Sequence, residues 1–242
     1  MPDTPPLWNP PAAATGDNSP VSAPLGRLVA RGVPAGRRVA IARALALGRA
    51  RRVGAVDLLA PQGLLALARA SLWLLLAGGV GFAALEALAL WHRGGAPLAA
   101  SFGAALALVI VNLLLYIPML PLHEAVHALV ILALGGRPRF GARLPLALYC
   151  TAPGQLFTRG GSRAVALGPL VALSAAGALA IWLAPHAGAY LLFALAGNVS
   201  GAVGDLAAVR ALRPLPPGAL IADDATGFTA YVVEPGSGVL TP

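Results

Sequence analysis

His123-Glu124-Ala125-Val126-His127 sets two imidazoles four residues apart, with a carboxylate beside the first, inside an apolar run. On a helix, residues four apart share a face. Both rings can therefore hold one zinc ion, and Glu124 is placed to take a proton from a metal-bound water. The chain has 242 residues and only 4 His. From that composition the pattern arises by chance in about one chain in a thousand. The plainer alternative is a His–Glu pair whose members merely satisfy each other, but a carboxylate in an apolar segment needs a stronger reason to be there.

The elements that must position these residues are membrane spans. The chain is 58% hydrophobic and 11% charged, with a mean hydropathy of +0.78. A soluble domain carries about 25% charged residues. The apolar residues fall in long blocks that predict four spans, at about 64–90, 98–134, 164–184 and 187–212. The expected fold class is an all-α membrane protein. Its core is a four-helix transmembrane bundle over 63–213, with a short β-hairpin or re-entrant loop after the His-Glu-x-x-His helix. That loop, over about 137–158, turns at Pro153-Gly154 and is expected to pack over the site.

Arginine placement sets the orientation. All 17 basic residues are Arg. If the second block crosses once and the N-terminus is cytoplasmic, every Arg except Arg93 lies inside. A double crossing would move the five Arg from Arg137 to Arg163 outside, so one long helix carrying Pro118 and Pro121 is favoured. Both termini are then cytoplasmic, in an integral membrane protein. His127 lies about seven residues from the inner end of its helix, roughly 10 Å deep.

The flanks complete the organisation. Residues 1–25 are Pro- and Ala-rich, lack the apolar core of a signal peptide, and are expected to be disordered. Residues 26–62 form a basic juxtamembrane segment. Its eight Arg from Arg27 to Arg52 suit an anionic lipid leaflet, and Arg37, Arg38 and Arg43 with Val39, Ile41 and Leu45 suit a surface helix. No aromatic residue is interleaved there, which argues against nucleic acid despite the net charge of +8. Residues 214–242 read as a cytoplasmic tail too small for a domain. The lone Cys150 excludes an internal disulfide.

A catalytic zinc usually takes three protein ligands and keeps one position open. His92 and His186 fall in predicted outside loops, and Glu86 lies near the outer end of the first span. Asp205 lies in the fourth span at the depth of the two histidines, where an ionised carboxylate must face a partner or a metal. Pairing with Arg210 or Arg213 is the alternative. Asn198 lies two turns earlier, as a candidate helper for substrate backbone or the developing oxyanion. Gly197, Ser200, Gly201 and Gly204 allow close helix approach along this stretch.

These motifs, with Thr151-Ala152-Pro153-Gly154-Gln155, Gly168-Pro169, Asn198 to Asp205 and Gly227-Phe228, resemble the zincin-peptidase family of small prokaryotic multi-pass membrane proteins. More broadly they resemble the site-2 protease type of intramembrane metalloprotease. The resemblance covers about 123–231. It implies that His123, His127 and Asp205 hold Zn2+ and that Glu124 is the base. The substrate it implies is a membrane-embedded or membrane-proximal polypeptide. Two departures stand out: site-2 proteases carry Asn-x-x-Pro and Asp-Gly, whereas here Asn198 is followed by Val199-Ser200-Gly201 and Asp205 by Leu206. The reading is a zinc-dependent endopeptidase. The alternative is a non-catalytic membrane protein with a structural or vestigial zinc site that binds other membrane proteins.

Overall fold

A computed structural model of the chain describes residues 27–29, 33–58, 60–95, 101–143, 147–224 and 226–233. The segment expected to be disordered, 1–25, lies outside the described residues. The first elements are β1 (Arg27–Val29), α1 (Ala35–Ala46) and β2 (Ala50–Asp57). The long helices α2 (Pro61–His92) and α3 (Phe102–Ala133) follow. Then come β3 (Arg139–Arg143), β4 (Ala147–Thr151), β5 (Gln155–Thr158) and α4 (Arg159–Leu183). The chain continues through α5 (Pro185–Gly188), a 3-10 turn, α6 (Leu192–Gly201) and α7 (Val203–Ala211), and ends with β6 (Leu220–Asp223) and β7 (Gly227–Val233).

Among the described residues, four helical stretches are long and apolar enough to cross a membrane: Gly63–His92, Phe102–Ala133, Arg159–Leu183 and Pro185–Ala211. The second is one continuous helix with Pro118 and Pro121 inside it, as the arginine distribution favours. The fourth is segmented, with a break at Ala202 between α6 and α7. Trp73, Val80, Ile117 and Leu129 on the first two are each more than 60% exposed, surface that lipid suits and water does not.

The protein is not all-α. Contacts divide it into two compact units. One comprises the chain up to Leu64, His127–Ala166 and everything from Asp205 on. It holds a five-stranded sheet in the order β1-β5-β6-β7-β2. β1 runs parallel to β5, and the other neighbours are antiparallel. The basic segment and the C-terminal tail, read from sequence as separate flanks, thus meet in this sheet: β2 pairs with β7 from Ala50↔Val233 to Asp57↔Gly227. Gly227 is required there, because a Cβ on it would lie 1.9 Å from the Val56 carbonyl oxygen. Helix α1 turns Ile41 and Ala44 onto Leu156, Leu220 and Val233. Of the apolar face expected to lie on a membrane surface, Ile41 and Leu45 pack against protein, while Val39 stays 68% exposed.

β3 and β4 form a separate two-stranded antiparallel pair. The turn at Pro153-Gly154 exists, with Gly154 at φ +67°, but it joins β4 to β5, which belong to different sheets. The expected hairpin strands are therefore re-paired. The exit from α3 is fixed by a Schellman motif: Gly135 has φ +88°, Gly136 N–H bonds the Ile131 carbonyl and Gly135 N–H the Leu132 carbonyl. Gln155, buried, then spans the Arg137 backbone with two 2.7 Å bonds, one to its N–H and one to its carbonyl.

The other unit comprises Leu65–Val126 and Leu167–Gly204. Met119, Ile181, Ala194 and Leu195 form its buried core. Ser71 on α2 and Ser200 on α6 share a 2.7 Å Oγ···Oγ bond. Asn112 repairs the irregular entry to α6: its amide donates to the Ala189 carbonyl and its oxygen accepts from Phe193 N–H, at 2.9 Å each. Freed backbone groups at membrane depth require such partners.

Candidate metal centre

His123 and His127 are one turn apart on uninterrupted α3, and both are buried. Asp205 falls in the first turn of α7, just past the break in the fourth span. A carboxylate there is favoured by the N-terminal end of the helix dipole. The ligand atoms of His123, His127 and Asp205 all lie within 4.8 Å of one another. Glu124, beside His123 on α3, is partly exposed. Asn198 is 1% exposed, with its Oδ1 2.9 Å from His123 Nδ1.

The hydrogen bonds test whether these residues suit a cation. His127 Nδ1 lies 2.9 Å from the Val165 carbonyl. A carbonyl only accepts, so Nδ1 carries the hydrogen; in its neutral form the ring then presents its lone pair at Nε2. That Nε2 lies 3.4 Å from Asp205 Oδ1. The separation exceeds an ordinary N–H···O bond. It matches the spacing of about 3.3–3.6 Å between two ligand atoms on a tetrahedral ion with bonds of 2.0–2.2 Å. An imidazole nitrogen and a carboxylate oxygen at that distance suit a shared cation. The donor set, two imidazoles and one carboxylate, is the set zinc takes in a catalytic site.

Proline chemistry explains the Val165 bond. Pro169 lies four residues after Val165 inside α4 and has no N–H to offer that carbonyl. The carbonyl is left for His127. The Gly168-Pro169 step visible in the sequence therefore has a mechanical role at the site, which spacing alone did not reveal.

The remaining histidines lie elsewhere. His92 stacks on Trp182 with ring centroids 5.8 Å apart, and neighbouring Arg93 donates to the Trp182 carbonyl at 2.7 Å. His186 is exposed.

Sequence reasoning missed Asp223, the last residue of β6. Burial pushes its carboxyl up to about 7, against the opposing pull of the Ala152 N–H bonded to it and of His127. No motif marked this residue, because its position depends on the long-range pairing of the tail. The raised value has a consequence for stability. The folded state keeps a proton that the unfolded chain releases near 3.8. The stabilising contribution is complete below that value and is lost as pH rises toward about 7. Metal-free protein is expected to melt several degrees lower at pH 8 than at pH 5. Asp223→Asn should flatten that slope and melt higher than wild type at pH 8. Thermal melts in chelator across that range check it.

Residues 116–220, less than half of the chain, match the model of a family described as "Putative zincin peptidase". The match runs from the helix that carries the His-Glu-x-x-His string to the start of β6 and bears out the family resemblance of the motifs. A zincin family implies zinc. No curated protein and no solved structure matches the chain.

Proposed function

We propose that this protein is a zinc-dependent endopeptidase that hydrolyses peptide bonds within or beside a membrane. One observation carries the reading: His127 Nε2 stands 3.4 Å from the Asp205 carboxylate, with His123 one turn away on the same helix. His123, His127 and Asp205 would hold the ion. When bound, zinc polarises a carbonyl and lowers the pKa of water toward about 7. Glu124 accepts the proton of the attacking water and returns it to the leaving amine nitrogen. The family match supports a metallopeptidase; the site-2 protease character is our extension of it.

A helical substrate hides its carbonyls in hydrogen bonds and must unwind before attack. Among the described residues β3 and β4 form their own two-stranded sheet, which an extended substrate would join as a further strand. The arginine distribution supports cytoplasmic termini and access from that side. Arg37, Arg38 and Arg43 remain exposed on α1 and suit the headgroups of an anionic leaflet.

Metal analysis of the purified protein tests the reading. About one zinc per chain is expected, together with chelator-sensitive cleavage of single-pass transmembrane peptides. A preparation that stays fully active after complete metal removal would overturn it.

A further inference from the structure

Each candidate ligand ring is held at its second nitrogen by a different device, and both devices lead to Pro169. On one side, Pro169 withholds an N–H from the Val165 carbonyl, which instead accepts from His127 Nδ1 at 2.9 Å. On the other, the Pro169 carbonyl accepts from Asn198 Nδ2 at 3.5 Å, and Ser174 Oγ lies 3.4 Å from the same nitrogen. A carbonyl cannot donate, so this contact fixes which way the Asn198 amide points. Its oxygen therefore faces His123 Nδ1 at 2.9 Å, and that ring nitrogen must be the donor.

We propose that Pro169 and Asn198 are positioning residues that commit both imidazoles to the Nδ1–H tautomer and so reserve both Nε2 lone pairs for one cation. The proposal rests on the metallopeptidase reading above. It also moves Asn198 away from the substrate or oxyanion role expected from sequence. Asn198 is 1% exposed, and both ends of its amide are engaged by protein groups. Pro169 is also fully buried, so neither residue is open to substrate. A metal-binding imidazole depends on what holds its other nitrogen, and losing such a partner typically costs 10–100-fold in affinity.

Zinc affinity of the purified full chain, measured by competition against a chromophoric chelator, tests this. The cobalt-substituted visible spectrum reports the ligand field alongside it. Asn198→Leu and Pro169→Ala should each weaken zinc about 10–100-fold and shift the cobalt bands. Asn198→Asp supplies an acceptor at the same place and should bind within about threefold of wild type. Pro169→Ala adds a second readout. Restoring the Val165 hydrogen bond within α4 should leave metal-free protein as stable as wild type or more so, while zinc binds more weakly. A merely structural proline would move both in the same direction.

Wild-type affinity in either Asn198→Leu or Pro169→Ala overturns the proposal. So does an Asn198→Leu protein that binds zinc normally but has lost turnover, because that outcome returns Asn198 to the substrate. If Asn198→Leu fails to fold, Pro169→Ala and Asn198→Asp decide. Wild-type protein that binds no zinc would instead overturn the functional reading, which keeps the two failures distinct.

Discussion

Glu124→Gln is expected to leave zinc content unchanged and to reduce hydrolysis by at least about 10³-fold. The substitution keeps the length and shape of the side chain and removes its ability to take a proton. Glu124 shares α3 with both candidate ligand histidines, so its backbone is held by the same helix that holds them. The loss should appear in kcat and in kcat/KM to the same extent, because proton transfer is made in the transition state and not in substrate binding. Zinc quantification beside cleavage of a single-pass transmembrane peptide checks both halves. Equal cleavage by wild type and variant would remove Glu124 from the chemistry. Zinc in both with cleavage in neither would favour a site that holds structure rather than one that performs hydrolysis.

The parts of this protein that the sequence exposed are those written in local patterns. Each span is a contiguous apolar block, and the His-Glu-x-x-His string lies within one helical turn, so both could be read without knowing any long-range contact. Asp205 was legible for a different reason: a carboxylate in an apolar block demands a partner. Of the five-stranded sheet, only Gln155 to Thr158 and Phe228 to Val233 read as short strands in the local sequence, and their partners do not. β1 is three residues long, and β2 reads Ala50-Arg51-Arg52-Val53-Gly54, with two charges together and a bulge between Arg52 and Gly54. Its partner in β7 lies far along the chain, beyond all four spans. Pairings of that separation leave little trace in local periodicity.

The same distinction holds inside the site. Candidate ligands follow from residue type, whereas the bonds that orient them depend on three-dimensional placement. Gly168-Pro169 was visible as a motif, yet its effect runs through a carbonyl four residues earlier, which no side-chain pattern encodes. Asn198 is visible as a polar residue in a span, but its direction cannot be read from the sequence. Seven residues before Asp205 on an ideal helix means a shared face. The break at Ala202 ends that regularity, so α6 and α7 aim their polar residues separately. Asp223 shows the limit most clearly, since nothing in Leu220-Ile221-Ala222-Asp223 announces that this carboxylate comes to lie beside Ala152 and His127.

Asp205→Ala is expected to weaken zinc by about 10²–10³-fold. Zinc sites with four protein ligands gain roughly 10–16 kcal/mol in all, or about 2.5–4 per ligand. The decisive feature is the sign of the stability change. If the 3.4 Å approach of His127 Nε2 and Asp205 Oδ1 is an ordinary ion pair, removing the carboxylate destabilises the protein with or without metal. If it is the spacing of two ligands, the metal-free protein carries two acceptors facing each other, and Asp205→Ala relieves that repulsion. Metal-free variant should then melt at or above metal-free wild type, while saturating zinc raises the melting temperature of wild type far more than that of the variant. Asp205→Asn keeps an oxygen and loses the charge, so its zinc affinity should fall between the two. Four melting curves, wild type and Asp205→Ala each with and without zinc, separate the cases. An Asp205→Ala protein that melts lower in both states would show that the carboxylate serves the fold and not the metal.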